Sequence, residues 1–77
     1  PSNTASEISV CYTNGNIYIN NIPENASAYL VDMLGRKIES WPSANEHLTL
    51  PKITNGVYLL MIDYGSHSES HKLIIRD

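Results

Sequence analysis

Phenylalanine is absent from this 77-residue chain, and cysteine and tryptophan occur once each. A single cysteine, Cys11, excludes an internal disulfide, and no structural zinc site can be assembled around it at these spacings. Basic residues are few, and the net charge is −3. They concentrate at Arg36–Lys37 and Lys72…Arg76, which is not a phosphate-binding stripe, so nucleic acid is not an expected partner. No run of eighteen apolar residues exists, which excludes a membrane-spanning helix. The opening PSNTASE is polar throughout and is no secretory signal; residues 1–7 read as the end of a linker from an upstream region, and 8–77 as one domain. A domain this small buries only roughly 60–65% of the surface its unfolded chain exposes, so its core is thin.

What the chain does have is β-branched and Tyr-rich apolar content, with 42% hydrophobic residues, suited to a pleated, half-buried surface. Apolar residues alternate in short runs divided by turn residues, and no 3.6-residue period emerges. Around Asn14–Gly15, a two-residue type I′ turn sets Tyr12 opposite Ile17 and Val10 opposite Ile19, with both apolar sets on one face. In YLVDMLGRKI, Asp32 and Gly35 mark a type I turn followed by a left-handed glycine bulge. That loop sets Asp32 against Arg36 as an ion pair and Leu30 against Ile38. PKITNG is long enough to arch between two sheets, and VYLLMIDY, apolar on both faces, reads as a central strand. Seven strands are predicted, over about 8–13, 16–21, 27–32, 36–41, 46–50, 56–63 and 68–76: an all-β, immunoglobulin-like sandwich of short antiparallel strands.

Chemistry is sparse. His67 and His71 share a strand face but stand about 13 Å apart, too far to hold one ion. The carboxylates are scattered singly, and Ser66, Ser68 and Ser70 alternate away from the two histidines with no Asp to orient either. No enzyme, metal or cofactor is expected. Asn25–Ser27 matches a glycosylation acceptor in a loop. Trp41 serves either as a sugar platform or as a lid over the open edge of the sandwich. Asn14–Gly15 and Asn55–Gly56 read as backbone devices for positive φ.

The order of three motifs is more informative. LVDMLGRKI, then NGVY, then KLII close to the end of the chain, resembles the C-terminal sorting domain of the type IX secretion system of Bacteroidetes, in its type A-like form. Asp32, Gly35 and Arg36 match its aliphatic-x-Asp-x-x-Gly-Arg-x-aliphatic hairpin. Asn55, Gly56, Val57 and Tyr58 match the second motif, and Lys72, Leu73, Ile74 and Ile75 the third. The family's opening aliphatic-Tyr-Pro-Asn-Pro segment has no counterpart, since VCYTNGN lacks both prolines.

The resemblance implies an address label, exported by way of the periplasm to the cell surface or the extracellular space. Its implied partners are the outer-membrane translocon and the sortase or attachment proteins, with cleavage in the linker ahead of the domain. A minority of such domains stay uncleaved on components of the machinery itself. Asp32, Gly35, Arg36, Lys72, Leu73, Ile74, Ile75 and Arg76 are the candidates for translocon recognition, and Asn55–Tyr58 are assigned a structural role. The apolar turn tip, Met33 and Leu34, has two readings: it folds back over one end of the core, as a small domain that needs every apolar group would favour, or it is offered to a partner. The last strand, as a sheet edge, allows pairing with a receptor strand or a weak homodimer. Rival classes are a carbohydrate-binding or adhesion module, using Trp41, Tyr29 and Tyr64, and an inert spacer.

Overall fold

The computed structural model describes residues 7–76. Along the chain run β1 (Ser9–Thr13), β2 (Asn16–Asn20), β3 (Ser27–Asp32), β4 (Lys37–Trp41), β5 (His47–Thr49), β6 (Gly56–Tyr64) and β7 (His67–Ile75). Every boundary falls within one residue of its expected position. The linker read into residues 1–7 lies, apart from Glu7, outside the described residues, as does Asp77.

Two antiparallel sheets result, ordered β1-β2-β5 and β4-β3-β6-β7. This is an immunoglobulin-type division of strands, with the fourth strand carried beside the third on the larger sheet. Alternation decides which side chains meet between the sheets. From the small sheet come Ile17, Ile19 and Leu48; from the large one come Ala28, Leu30, Tyr58, Leu60, Ile62, Leu73 and Ile75. Each fully buried Ile or Leu contributes about 1.5–3 kcal/mol by leaving water.

The first hairpin has the expected register, Tyr12 opposite Ile17 and Val10 opposite Ile19. Positive φ at both Asn14 (49°) and Gly15 (81°) is what a type I′ turn requires. Cys11 is exposed on this edge strand. As expected, β6 is central, flanked by β3 and β7, and the chain crosses between sheets through residues 50–55.

Two expectations are corrected. Leu30 pairs with Glu39 rather than Ile38, because the register shifts between Leu30 and Val31 while Val31 still faces Lys37. Ile38 is the extra residue of a β-bulge, and the bulge reverses the phase of the rest of β4. Trp41 consequently lies opposite the small Ala28 and packs against the core. Without the extra residue Trp41 would face Ser27, on the outer side. The second correction concerns Asn55–Gly56, neither of which has positive φ. Gly56 opens β6 opposite Ile75 in ordinary strand conformation, and a Cβ there would meet the Tyr58 ring at an unstrained 3.7 Å.

The connections sort to two ends. At one end the β1–β2 turn accepts a hydrogen bond from the β5–β6 arch (Leu50 N to Gly15 O, 2.9 Å), next to the β3–β4 turn and the finish of β7. At the other, Ala44 N donates to Ala26 O (2.9 Å), tying the β4–β5 and β2–β3 loops together near the β6–β7 turn.

Candidate functional site

The β3–β4 turn is held by one carboxylate. Gly35 N donates to the Asp32 carbonyl (3.0 Å), closing the type I turn, and Gly35 has φ of 86°. Asp32 Oδ1 accepts from the backbone amides of Leu34 and Arg36, both at 2.9 Å, and Oδ2 accepts from Arg36 Nε at 2.8 Å. The Arg36 amide, its guanidinium and the Leu34 amide together hold the Asp32 carboxyl below its ordinary value of 3.8, with the Arg36 amide contributing most. Arg36 spends one nitrogen on this contact, and its side chain is otherwise exposed.

With the turn backbone locked in this way, its two central side chains project outward. Met33 is 61% exposed and Leu34 79%. The reading in which they fold back over the core is therefore overturned. They form one lip of an open groove of about 510 Å³, whose other walls include Arg36, Ile38, Ile53, Val57 and Tyr58.

Behind the groove stands a tyrosine corner. Tyr58, at the start of β6, donates its hydroxyl to the Thr54 carbonyl, four residues upstream, at 2.6 Å. This pins the arch to the strand that follows. The sequence signal for it is a Tyr that opens a strand just after an inter-sheet connection.

The last strand divides its candidates by face. Leu73 and Ile75 are buried in the core, whereas Lys72, Ile74 and Arg76 are exposed. Ile74 pairs with Val57, and Lys72 with Leu59, on the outer side of the sheet. Thus Arg36, Lys72, Ile74 and Arg76 are accessible around the turn-bearing end, with Asp32 and Gly35 shaping it.

The histidines do not converge. His47 stacks on Tyr18 (ring centroids 5.0 Å apart) and meets Asn16 Oδ1 through Nε2 at 2.7 Å. At the far end of the molecule, Glu69 lies between Tyr64 and His71, accepting from the Tyr64 hydroxyl and meeting His71 Nε2 at 2.9 Å. The Tyr64 hydrogen bond, then the one from His71, lowers the Glu69 carboxyl below its ordinary 4.5, and the same Glu69 contact raises the Tyr64 hydroxyl above 10.0. Sequence reasoning missed this cluster, although His67, Glu69 and His71 alternate onto one strand face. Among the described residues no group of three His, Cys, Asp or Glu is placed to hold a metal ion, and no helix is long and apolar enough to cross a membrane. Tyr29 faces outward while Trp41 and Tyr64 pack inward, so these three rings form no single platform.

The accessible candidates of this small β-sandwich gather at one end, around the hydrogen-bonded turn. The family model described as the secretion system C-terminal sorting domain matches residues 12–76. The chain belongs to that family, the type IX sorting domains of Bacteroidetes, whose carriers are exported to the cell surface or extracellular space. It is a family of sorting signals, not of enzymes. No curated protein matches the chain.

Proposed function

We propose that this domain is a type A-like signal whose turn-bearing end is read by the type IX outer-membrane translocon, which then carries the upstream protein to the surface. Arg36, the outward residues Lys72 and Ile74 of β7, and Arg76 just after it make the contact, while Asp32 and Gly35 hold the turn in the shape that is read. Asn55, Gly56, Val57 and Tyr58 support that shape from beneath. Leu73 and Ile75 serve indirectly, by fixing β7 to the core. The observation that carries this reading is an exposed apolar tip on a turn locked by its own side-chain hydrogen bonds. Exposed apolar groups that a small core would otherwise recruit mark interaction sites. A sortase then cleaves ahead of the domain and attaches the cargo. Retention without cleavage is the alternative, favoured by the absence of both prolines from VCYTNGN.

The test places residues 1–77 behind a signal peptide and a fluorescent reporter in a bacterium that has the secretion system, with a translocon-deficient strain as control. Surface or medium location that vanishes in the deficient strain is the expected result, and reporter mass separates cleavage from retention. Reporter left in the periplasm of both strains refutes the reading.

A further inference from the structure

All five Lys and Arg residues lie toward the turn-bearing end of the molecule. Arg36 is in the β3–β4 turn, and Lys37 opens β4. Lys52 is in the arch, beside the β1–β2 turn. Lys72 pairs with Leu59 in the half of β7 nearest that end, and Arg76 follows the strand. Carboxylates among the described residues show the opposite bias. Glu7, Glu24, Glu46, Asp63 and Glu69 lie toward the other end, Glu39 is central, and Asp32 is already paired with Arg36. Among the described residues Lys37, Lys52, Lys72 and Arg76 have no carboxylate partner. The apolar exposure has the same bias: of the five large apolar residues exposed in the described chain, Met33, Leu34, Val57 and Ile74 are at the basic end, and only Tyr18 is elsewhere.

The described residues thus present one positive, apolar-tipped end and one negative end. From this geometry we propose that the basic end docks on an anionic lipid surface, with Met33 and Leu34 entering the headgroup layer and the cations meeting lipid phosphates around them. The placement of the cations favours a lipid surface over a peptide ligand. Lys37 is on one edge strand of the large sheet and Lys72 on the other, about 14 Å away across four strands. Lys52 stands on the arch that leads to the second sheet. A strand or peptide in the groove meets one side of this set, whereas a broad, deformable anionic surface meets all of it. The acidic end faces away, so the field of the molecule sets its orientation before contact. This docking is separable from translocon recognition, since it is read on the isolated chain and export is read in cells.

The experiment is vesicle flotation with the purified 77-residue chain, using phosphatidylcholine alone and phosphatidylcholine mixed with phosphatidylglycerol. Binding is expected only to the mixed vesicles, weakening as salt is added. Lys52→Gln with Lys72→Gln should lower partitioning roughly 25-fold, at about fivefold per cation. Met33→Ser with Leu34→Ser should lower it as well, while Glu24→Gln with Glu46→Gln should not. All of these residues are exposed, so circular dichroism should show each variant folded. Equal binding to both vesicle types, no binding, or indifference to the Met33 and Leu34 changes overturns the proposal. Concentration-dependent self-association without vesicles, abolished by the Glu24 and Glu46 changes, would also overturn it, by making the acidic end of a second copy the occupant.

Discussion

The carboxylate of Asp32 holds Arg36 twice, accepting from its backbone amide at Oδ1 (2.9 Å) and from its Nε at Oδ2 (2.8 Å). The two contacts are unequal in worth. The side-chain contact is made by a largely exposed guanidinium, which solvent and salt screen. The amide contact survives any substitution at Arg36 except proline, which has no N–H. Arg36→Ala should therefore leave the melting temperature almost unchanged while impairing export in the reporter assay. Asp32→Ala removes the acceptor for both amides and should lower the melting temperature clearly more. A larger thermal loss for Arg36→Ala than for Asp32→Ala would show the turn to be held by the ion pair.

Acid should loosen the two ends of the molecule by the same route. Asp32 and Glu69 are both held below their ordinary values, so each adds stability above that value and loses it as pH falls through its lower folded one. Tyr64 is raised, so its share is complete below 10.0 and is lost as pH rises through its folded value. The Tyr64–Glu69 contact is thus at full strength between 4.5 and 10.0. Glu69→Gln should bring Tyr64 back toward its ordinary value, as followed by the tyrosine ring carbon shifts in an NMR titration, and should reduce the acid dependence of the melting temperature. An unchanged Tyr64 titration would refute the coupling.

Tyr58→Phe keeps the ring in the core and removes only the hydroxyl that reaches Thr54. The expected cost is about 1–2 kcal/mol in urea unfolding, the range for a hydrogen bond whose acceptor is left partly buried. Faster amide exchange should follow in residues 50–55. A cost near zero would mean that water replaces the hydroxyl freely.

Deleting Ile38 tests the bulge. It would restore regular pairing of β4 but turn Trp41 to the outer side of the sheet. Stability should fall by about 2–3 kcal/mol from the apolar area returned to water, and tryptophan fluorescence should shift to the red. A blue or unshifted spectrum would show that β4 re-registers to keep Trp41 inside.

The elements most legible in the sequence were those fixed by neighbours in the chain. The Asn14–Gly15 hairpin and the Asp32–Gly35 turn follow from residues within a few positions of each other, and both have the expected form. The double-faced apolar run of β6 likewise marks a central strand. The Ile38 bulge is not legible because it answers a need of the packed core, the placing of Trp41 opposite Ala28 on the inner face of the sheet, which no local pattern encodes. Hydrophobicity alone leaves both readings of the Met33–Leu34 tip open, and the backbone lock that Asp32 supplies decides between them. Sorting by charge was invisible for a similar reason: Lys52 and Lys72 are twenty positions apart in the chain and join one end only through the fold.

The described chain starts at Glu7, among the acidic loops, and its last strand finishes at Ile75, at the basic end. Any polypeptide joined ahead of Glu7 therefore hangs from the pole opposite the docking tip. A pull on that polypeptide while the tip is held runs nearly parallel to the strands. Under such a load the β1–β2 hydrogen bonds are sheared together instead of being peeled one at a time, so the domain would act as a tow-hook that resists opening in the direction in which its cargo is drawn.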